Sequence, residues 1–588
     1  MTTSTPETPA TVMDHILDRL SALGVRHLFG MPGDYNLRVL DRVVAHPRVD
    51  WVGTANELSA AYAADGYGRA NGFGALLTTF GVGELNAING VAGAYAERVP
   101  LLHVVLGPTT ATEEAGSVVH HTMGDGDFDR FARAHRQVVC ADAVLRPGDA
   151  LAEVDRVLAT CLRESRPGYL RVPRDVALAP AGAAAPFDAP DPKAADAADL
   201  AAFRAAAARR LAAARRVAVL ADFLVDRFHA RAELAALLAA GSFPHAVLAT
   251  GKTVVDESAP GFLGLYSGAM SGAAVRATID RADLLIRAGV LLADTTTGKF
   301  THEFDPGEGI DLGPTAAAVD GVAFPGVPLA AALAVLAELV GERRPAAVGP
   351  ERPAADPSAA DPPAGNLPAA DLPAAIKESA LAVGRKVCGS VLPLTQSYLW
   401  KAVGDAVRPE HVVCADNGTA MLGIADRRFP RGARFVAQPL WASIGYCIPA
   451  LLGAQLAEPA RRGLLLIGDG AAQLTASELG VLDHHRVKPI VVLVNNDGYT
   501  VERITHGLRA VYNDIPRWRW ADVPAALGVR NPLVLTARTP AALDRALARA
   551  VGTTDRMVLV EVFVGKDDVP AALKRMVVNR PDRARWVP

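Results

Sequence analysis

One stretch of this chain, Gly468 to Glu502, restricts the fold more than any other. The apolar run Leu464-Leu465-Leu466-Ile467 ends in Gly468-Asp469-Gly470. After enough chain for a helix, a second run, Ile490-Val491-Val492-Leu493-Val494, ends in Asn495-Asn496-Asp497-Gly498. Two strands joined by a helix form a βαβ unit, so both strand ends open on the same edge of a parallel sheet. That edge is where open α/β sheets take their ligands. The residue types there suit a diphosphate carried on a metal ion. Asp469 offers a carboxylate oxygen, Asn496 an amide oxygen, and the main chain at Gly498 a carbonyl. Mg²⁺ takes few protein oxygens and completes its octahedron with phosphate and water. Gly470 and Ala471 open the following helix, where backbone N–H groups can meet phosphate oxygens. Taken singly, each motif reads as an ordinary strand-end turn. Paired across one βαβ unit, they read as a cofactor site.

A chain of 588 residues exceeds one hydrophobic core, so two to four domains are expected. The formal net charge is −3 with no block of like charge, which argues against a nucleic-acid partner. No apolar run approaches a membrane span. The N-terminus has neither a basic start nor an apolar core, so no secretory signal is read, and a cytoplasmic enzyme is expected. The cysteines, at 140, 161, 388, 414 and 447, show no CxxC spacing. That excludes the usual structural zinc pattern and a disulfide framework.

Strand-like runs alternate with helical stretches along the chain, so the expected fold class is α/β with three doubly wound parallel-sheet domains. They are read as residues 1–178, 197–342 and 393–588. A Pro/Ala linker at 179–196 separates the first two, and a second at 343–392 carries eight prolines. Strand candidates are Leu28–Gly30, Leu76–Phe80 and Leu101–Leu106, then Val217–Leu220, Ala246–Ala249 and Leu284–Gly289, then Val412–Ala415. In the first segment Asp34 sits in a Gly-Asp turn after a strand, and Glu57 opens an alanine-rich helix. His120 and His121 are adjacent; on a helix they would not share a face, but on a loop they can serve proton transfer.

The motifs PGDYNL, NEL-x-AAYAADGY, TTFGVGEL, HHT, GDG with NNDGYTVE, and YNDIPRW occur in this order. The chain resembles the thiamine-diphosphate-dependent 2-keto acid decarboxylases, a family that includes pyruvate, indolepyruvate and branched-chain keto acid decarboxylases. Its motifs are closest to the branched-chain enzymes. The resemblance covers most of the chain. It implies a pyrimidine-binding, a middle and a diphosphate-binding domain, with the middle one mainly structural. It also implies non-oxidative decarboxylation of a 2-keto acid to an aldehyde and CO₂, with thiamine diphosphate and Mg²⁺ as cofactors. The glutamate matching Glu57 would bond the cofactor's aminopyrimidine. Asp34, His120, His121 and Glu502 would act as acids and bases on the substrate. Thr419, Ala442, Ile444, Asp469, Gly470, Ala471, Asn496 and Gly498 would hold the cofactor, with Asp469, Asn496 and Gly498 as metal ligands. Ile444 would wedge between the cofactor's two rings. Thr296, Asn417, Met421, Leu422, Val501 and Met576 would line the substrate pocket. Pyruvate-specific bacterial relatives tend to carry bulky aromatics where this chain has Met421 and Leu422, so branched-chain or aromatic acids are expected. Asn417 departs from the glutamine common in the branched-chain and indolepyruvate relatives. A homodimer or homotetramer with the cofactor between subunits is implied. Alternatives are a pyruvate decarboxylase, a carboligase such as acetohydroxyacid synthase, and a cofactor-binding paralogue without turnover.

Overall fold

A computed structural model describes residues 10–182, 186–191, 193–342 and 393–578, with the backbone alone at 576–578. The linker read at 343–392 lies outside the described residues, as does the side chain of Met576. The described chain folds as three mostly parallel sheets flanked by helices.

The first sheet is built from β1 (His27–Gly30), β2 (Asp50–Gly53), β3 (Gly74–Thr79), β4 (Leu101–Gly107), β5 (Ala141–Val144) and β6 (Gly168–Pro173). Its order is β2-β1-β3-β4-β6-β5, and every pair is parallel. Parallel strands are covered on both faces, which is why β3 and β4 are near-continuous apolar runs with every residue buried. Two helices of this domain matter for the site: α1 (Glu57–Asn71), which follows β2, and α2 (Val82–Ala96), which follows β3. Asn56 caps α1 by accepting from the Ser59 N–H, and Gly72 ends it at φ +94°.

The middle sheet departs from the expected all-parallel reading. It comprises β7 (Val217–Ala221), β8 (His245–Val247), β9 (Phe262–Leu265), β10 (Leu284–Ala288), β11 (Ile310–Leu312), β12 (Ala317–Val319) and β13 (Val322–Phe324). The order is β13-β12-β11-β10-β7-β8-β9, and β11, β12 and β13 pair antiparallel. Three short strands joined by tight turns leave no chain for a crossover helix, so only antiparallel pairing is open to them.

The third sheet contains β14 (His411–Ala415), β15 (Arg434–Val436), β16 (Arg462–Gly468), β17 (Ile490–Asn495), β18 (Leu533–Ala537) and β19 (Val558–Phe563). Its order, β15-β14-β16-β17-β19-β18, repeats the winding of the first sheet strand for strand. Its helices include α3 (Thr419–Ala425), α4 (Cys447–Ala457), α5 (Asp469–Thr475), α6 (Glu478–His484), α7 (Thr500–Thr505) and α8 (Ala571–Val578). The single helix expected between β16 and β17 is two short ones, α5 and α6.

The first and third domains share one hydrophobic core, centred where α1 crosses α4. Small residues permit the approach: a Cβ on Gly66 would lie 2.1 Å from the Ala450 carbonyl oxygen, and one on Gly453 would lie 1.8 Å from that of Ala63. Buried polar pairs surround the crossing. The Tyr62 hydroxyl meets Ser443 Oγ at 2.5 Å, the Tyr446 hydroxyl bonds Asp65, and Arg69 pairs with Asp65 at 2.6 Å and Glu97 at 2.9 Å.

Candidate active site

The site residues fall into two groups, one at the carboxyl edge of each parallel sheet. In the third domain, Asp469 follows β16 and Asn496 follows β17, the neighbouring strand. Asp469 is buried, and its Oδ2 accepts from the backbone N–H groups of Asn496 (3.2 Å) and Gly498 (3.3 Å). Its Oδ1 accepts from Gly470 N at 2.8 Å. Burial pushes the carboxyl up to about 6, and these N–H groups oppose that shift. One end of the Asn496 amide lies 3.1 Å from Asp469 Oδ1 and 3.1 Å from the Gly498 carbonyl oxygen, while the other faces Thr500 Oγ1 at 2.9 Å. With its oxygen inward, the amide completes three oxygens facing one another. That arrangement repels unless a cation lies among them, so the donor set fits a hard divalent ion. With its nitrogen inward, the amide bonds both oxygens itself.

Glycines keep the backbone close around this cluster. A Cβ on Gly470 would meet the Tyr499 ring at 2.6 Å, and Gly498 has φ +123°. Ala471 is buried on α5, and Thr419 is buried directly after Gly418, whose φ is +126°. Ala442 takes φ +61° and donates its N–H to Gln438 O at 2.8 Å. Ile444 is partly buried against the shared core. Beside it, buried Asp416 accepts from Gly445 N and Cys447 N, both at 3.0 Å, which fixes this loop to the start of α4. Burial raises the Asp416 carboxyl to about 6.

In the first domain, Glu57 stands at the first turn of α1, and its carboxylate accepts from Asn86 Nδ2 on α2 at 2.7 Å. Asp34, His120 and His121 come together although 86 residues separate the first pair. His120 Nε2 lies 2.6 Å from Asp34 Oδ2, and His121 Nε2 lies 3.6 Å from Asp34 Oδ1. The histidines are on a loop, and His121 has φ +63°. Glu502 is exposed on α7.

The residues assigned to the substrate pocket are more scattered. Asn417 donates to Gln438 O at 2.8 Å, and Leu422 is partly buried on α3. Met421 packs in the third domain's core. Val501 is half-buried on α7. The backbone of α8, which carries Met576, packs against both α3 and α7. Thr296 belongs to the middle domain, buried in a turn where its hydroxyl donates to Ala293 O at 3.2 Å.

Known proteins match nearly the whole chain. The thiamine pyrophosphate enzyme N-terminal TPP binding domain matches residues 10–131, the central domain matches 204–339, and the C-terminal TPP binding domain matches 416–562. An alpha-keto-acid decarboxylase of Mycobacterium avium is 47% identical over 580 residues, covering 98% of this chain and 98% of that protein. Its namesake in Mycobacterium ulcerans is 46% identical over 570 residues, covering 96% of this chain and 95% of its own. That of Mycobacterium tuberculosis is 46% identical over 570 residues, with 96% of each chain covered. The chain belongs to the thiamine-diphosphate-dependent 2-keto acid decarboxylases.

Other buried or stacked side chains of the decarboxylase brace these candidate residues. Arg503, next to Glu502, is almost wholly buried. It donates to Asn496 O (3.2 Å), Asn513 O (3.1 Å), Asp514 Oδ1 (2.9 Å) and the Asp497 carbonyl. It thus ties α7, and with it Glu502, to the Asn496–Gly498 turn. Tyr35 stacks on His120 with ring centroids 4.7 Å apart. Glu84 is fully buried and accepts from Gly81 N at 2.8 Å and the Tyr169 hydroxyl at 2.7 Å. Gly81 in turn abuts the His121 carbonyl, which a Cβ there would approach to 2.0 Å. The GVGEL motif was the one signal for Glu84, since a glutamate three residues after the helix cap can accept from the cap's N–H, here that of Gly81.

Proposed function

We propose that this decarboxylase acts on branched-chain or aromatic 2-keto acids, with Mg²⁺ holding thiamine diphosphate, and that its cofactor lies between two subunits. The observation that carries the cofactor reading is the Asn496 amide lying 3.1 Å from both Asp469 Oδ1 and the Gly498 carbonyl oxygen. These three would take the metal, and the backbone N–H groups at the start of α5 would take phosphate oxygens. When bound, thiamine diphosphate supplies the electron sink for loss of CO₂.

The chain's own residues do the rest. Glu57 would bond and orient the aminopyrimidine, and Asn86 holds its carboxylate in place. Ile444 would pack against the bound cofactor. Asp34, His120, His121 and Glu502 move protons at the substrate, work that suits histidine near neutral pH. Met421, Leu422 and Val501, flexible or modest in size, would admit a side chain larger than methyl.

Each added methylene contributes only about 1–3 kcal/mol of discrimination, so the preference should be broad. A steady-state panel decides it. 2-Ketoisovalerate, 4-methyl-2-oxopentanoate, phenylpyruvate or indolepyruvate should exceed pyruvate in kcat/KM, and Met421→Trp should penalise the larger acids most. A higher kcat/KM for pyruvate than for every larger acid would make this a pyruvate decarboxylase. Acetolactate rather than free aldehyde from pyruvate would make it a carboligase.

A further inference from the structure

We propose that Asp34, His120 and His121 form a second metal site, one that selects Zn²⁺ over Mg²⁺. Neighbouring histidines on a helix point away from each other. Here the left-handed backbone at His121, φ +63°, turns its ring back beside that of His120. The two ring centroids are 4.6 Å apart. A side-chain-bearing residue rarely holds this conformation, and such strain persists only where the surroundings impose it. The surroundings do impose it: Gly81 lies flat against the His121 carbonyl, and Tyr35 stacks on His120 and donates its hydroxyl to His120 O at 3.1 Å.

Both Nε2 atoms then face the Asp34 carboxylate, one toward each oxygen, at 2.6 Å and 3.6 Å. One ligand atom from each of the three residues lies within 4.8 Å of the others. Within the single chain the cluster is accessible, with side-chain exposures of 50% for Asp34, 57% for His120 and 26% for His121. Two imidazole nitrogens and a carboxylate oxygen leave a fourth tetrahedral position for water, an arrangement that Zn²⁺ accepts. Mg²⁺ prefers an all-oxygen octahedron and would be held at Asp469 instead. The rings are positioned before an ion arrives, so binding needs only small side-chain movements. Zinc on these atoms would displace their protons and stop proton transfer to substrate. That inhibition rests on the function proposed above, whereas the binding itself does not.

The test uses the full-length enzyme saturated with Mg²⁺ and thiamine diphosphate. Zinc binding is measured by equilibrium dialysis with elemental analysis, so the readout does not depend on turnover. One Zn²⁺ per chain is expected with Mg²⁺ content unchanged. His120→Ala and His121→Ala should each lower zinc affinity at least tenfold, and circular dichroism should show them folded as the parent is. Co²⁺, offered as a spectroscopic probe, should give tetrahedral visible bands in the parent that both variants lose. Equal zinc affinity in parent and variants would overturn the site, as would zinc that only replaces Mg²⁺ one for one. Zinc that binds as expected but leaves turnover unchanged at saturation would uphold the site and refute the proton-handling role of these residues.

Discussion

At the scale of single residues, buried polar groups decide how well the site is held. Arg503 supports Glu502 and the Asn496–Gly498 turn from beneath, and its acceptors are mostly main-chain carbonyls. Arg503→Met keeps much of the bulk but strips those carbonyls of their donor, a loss of about 3 kcal/mol or more for a buried charged group. The expected outcome is a lower thermal midpoint together with cofactor lost on dialysis; unchanged retention would reduce Arg503 to a packing role. Glu84 permits a pH prediction. Burial raises its carboxyl from the ordinary 4.5 to about 7, against the Gly81 N–H, the Tyr169 hydroxyl and the Arg171 guanidinium, with His135 Nδ1 3.6 Å away. The folded chain therefore holds a proton that the unfolded chain has already released between those two values. Stability from this group is complete below 4.5 and is lost as pH rises through 7. The loss is on the order of 3 kcal/mol. Glu84→Gln, which still accepts from Gly81, should flatten the fall in thermal midpoint between about pH 5 and about pH 8. A variant whose midpoint falls in parallel with the parent's would show that Glu84 does not titrate in this range. Arg503 was not legible beforehand, because its partners come from two chain turns that only the fold brings together; for Glu84 the GVGEL motif signalled the local bond to Gly81 but not the one from Tyr169.

At the scale of elements, what could be read was what is local. The runs Leu464–Ile467 and Ile490–Val494 became β16 and β17 with a residue or two added at their ends, and both turns stand on the same sheet edge. The break between α5 and α6 was not legible. The side chain at the break reaches another domain: buried Glu478, the first residue of α6, accepts from Ala55 N at 3.0 Å just before α1. The antiparallel hairpin β12–β13 did carry a signal. Asp320-Gly321 between apolar residues, with φ +45° and +78°, is the pair that a tight hairpin turn demands. The α1–α4 crossing depends on close spacing, and its prediction is direct. Gly453→Ala puts a methyl 1.8 Å from the Ala63 carbonyl oxygen, which cannot move without moving α1. A cost of about 1–3 kcal/mol is expected, and because Glu57 begins α1 the separation should also weaken cofactor binding. Thermal unfolding and cofactor titration check the two effects, and a midpoint equal to the parent's would show that the crossing is not tight.

At the scale of the whole molecule, the first and third sheets wind in the same order, and each carries half of the proposed site at its carboxyl edge. Glu57 and Asp34 belong to one half, Asp469 and Asn496 to the other. The α1–α4 crossing joins these two domains within a chain, yet several large apolar side chains near the site segments stay exposed. Val82 and Met123 do so in the first domain, and Trp441, Leu474, Val511 and Tyr512 do so in the third. Exposed apolar residues of this size flanking both half-sites suit a second copy of the chain. A dimer of this kind predicts complementation between two inactive variants. One chain carries Glu57→Gln and its partner Asp469→Ala. If each site takes Glu57 from one subunit and Asp469 from the other, a mixed dimer has one site with both lesions and one with neither. Random mixing makes half of the dimers mixed, so the coexpressed pair should recover about a quarter of the parent activity per chain. Each variant alone should stay inactive. If both residues of a site came from the same chain, every site in the mixed dimer would keep one lesion, and no activity would return.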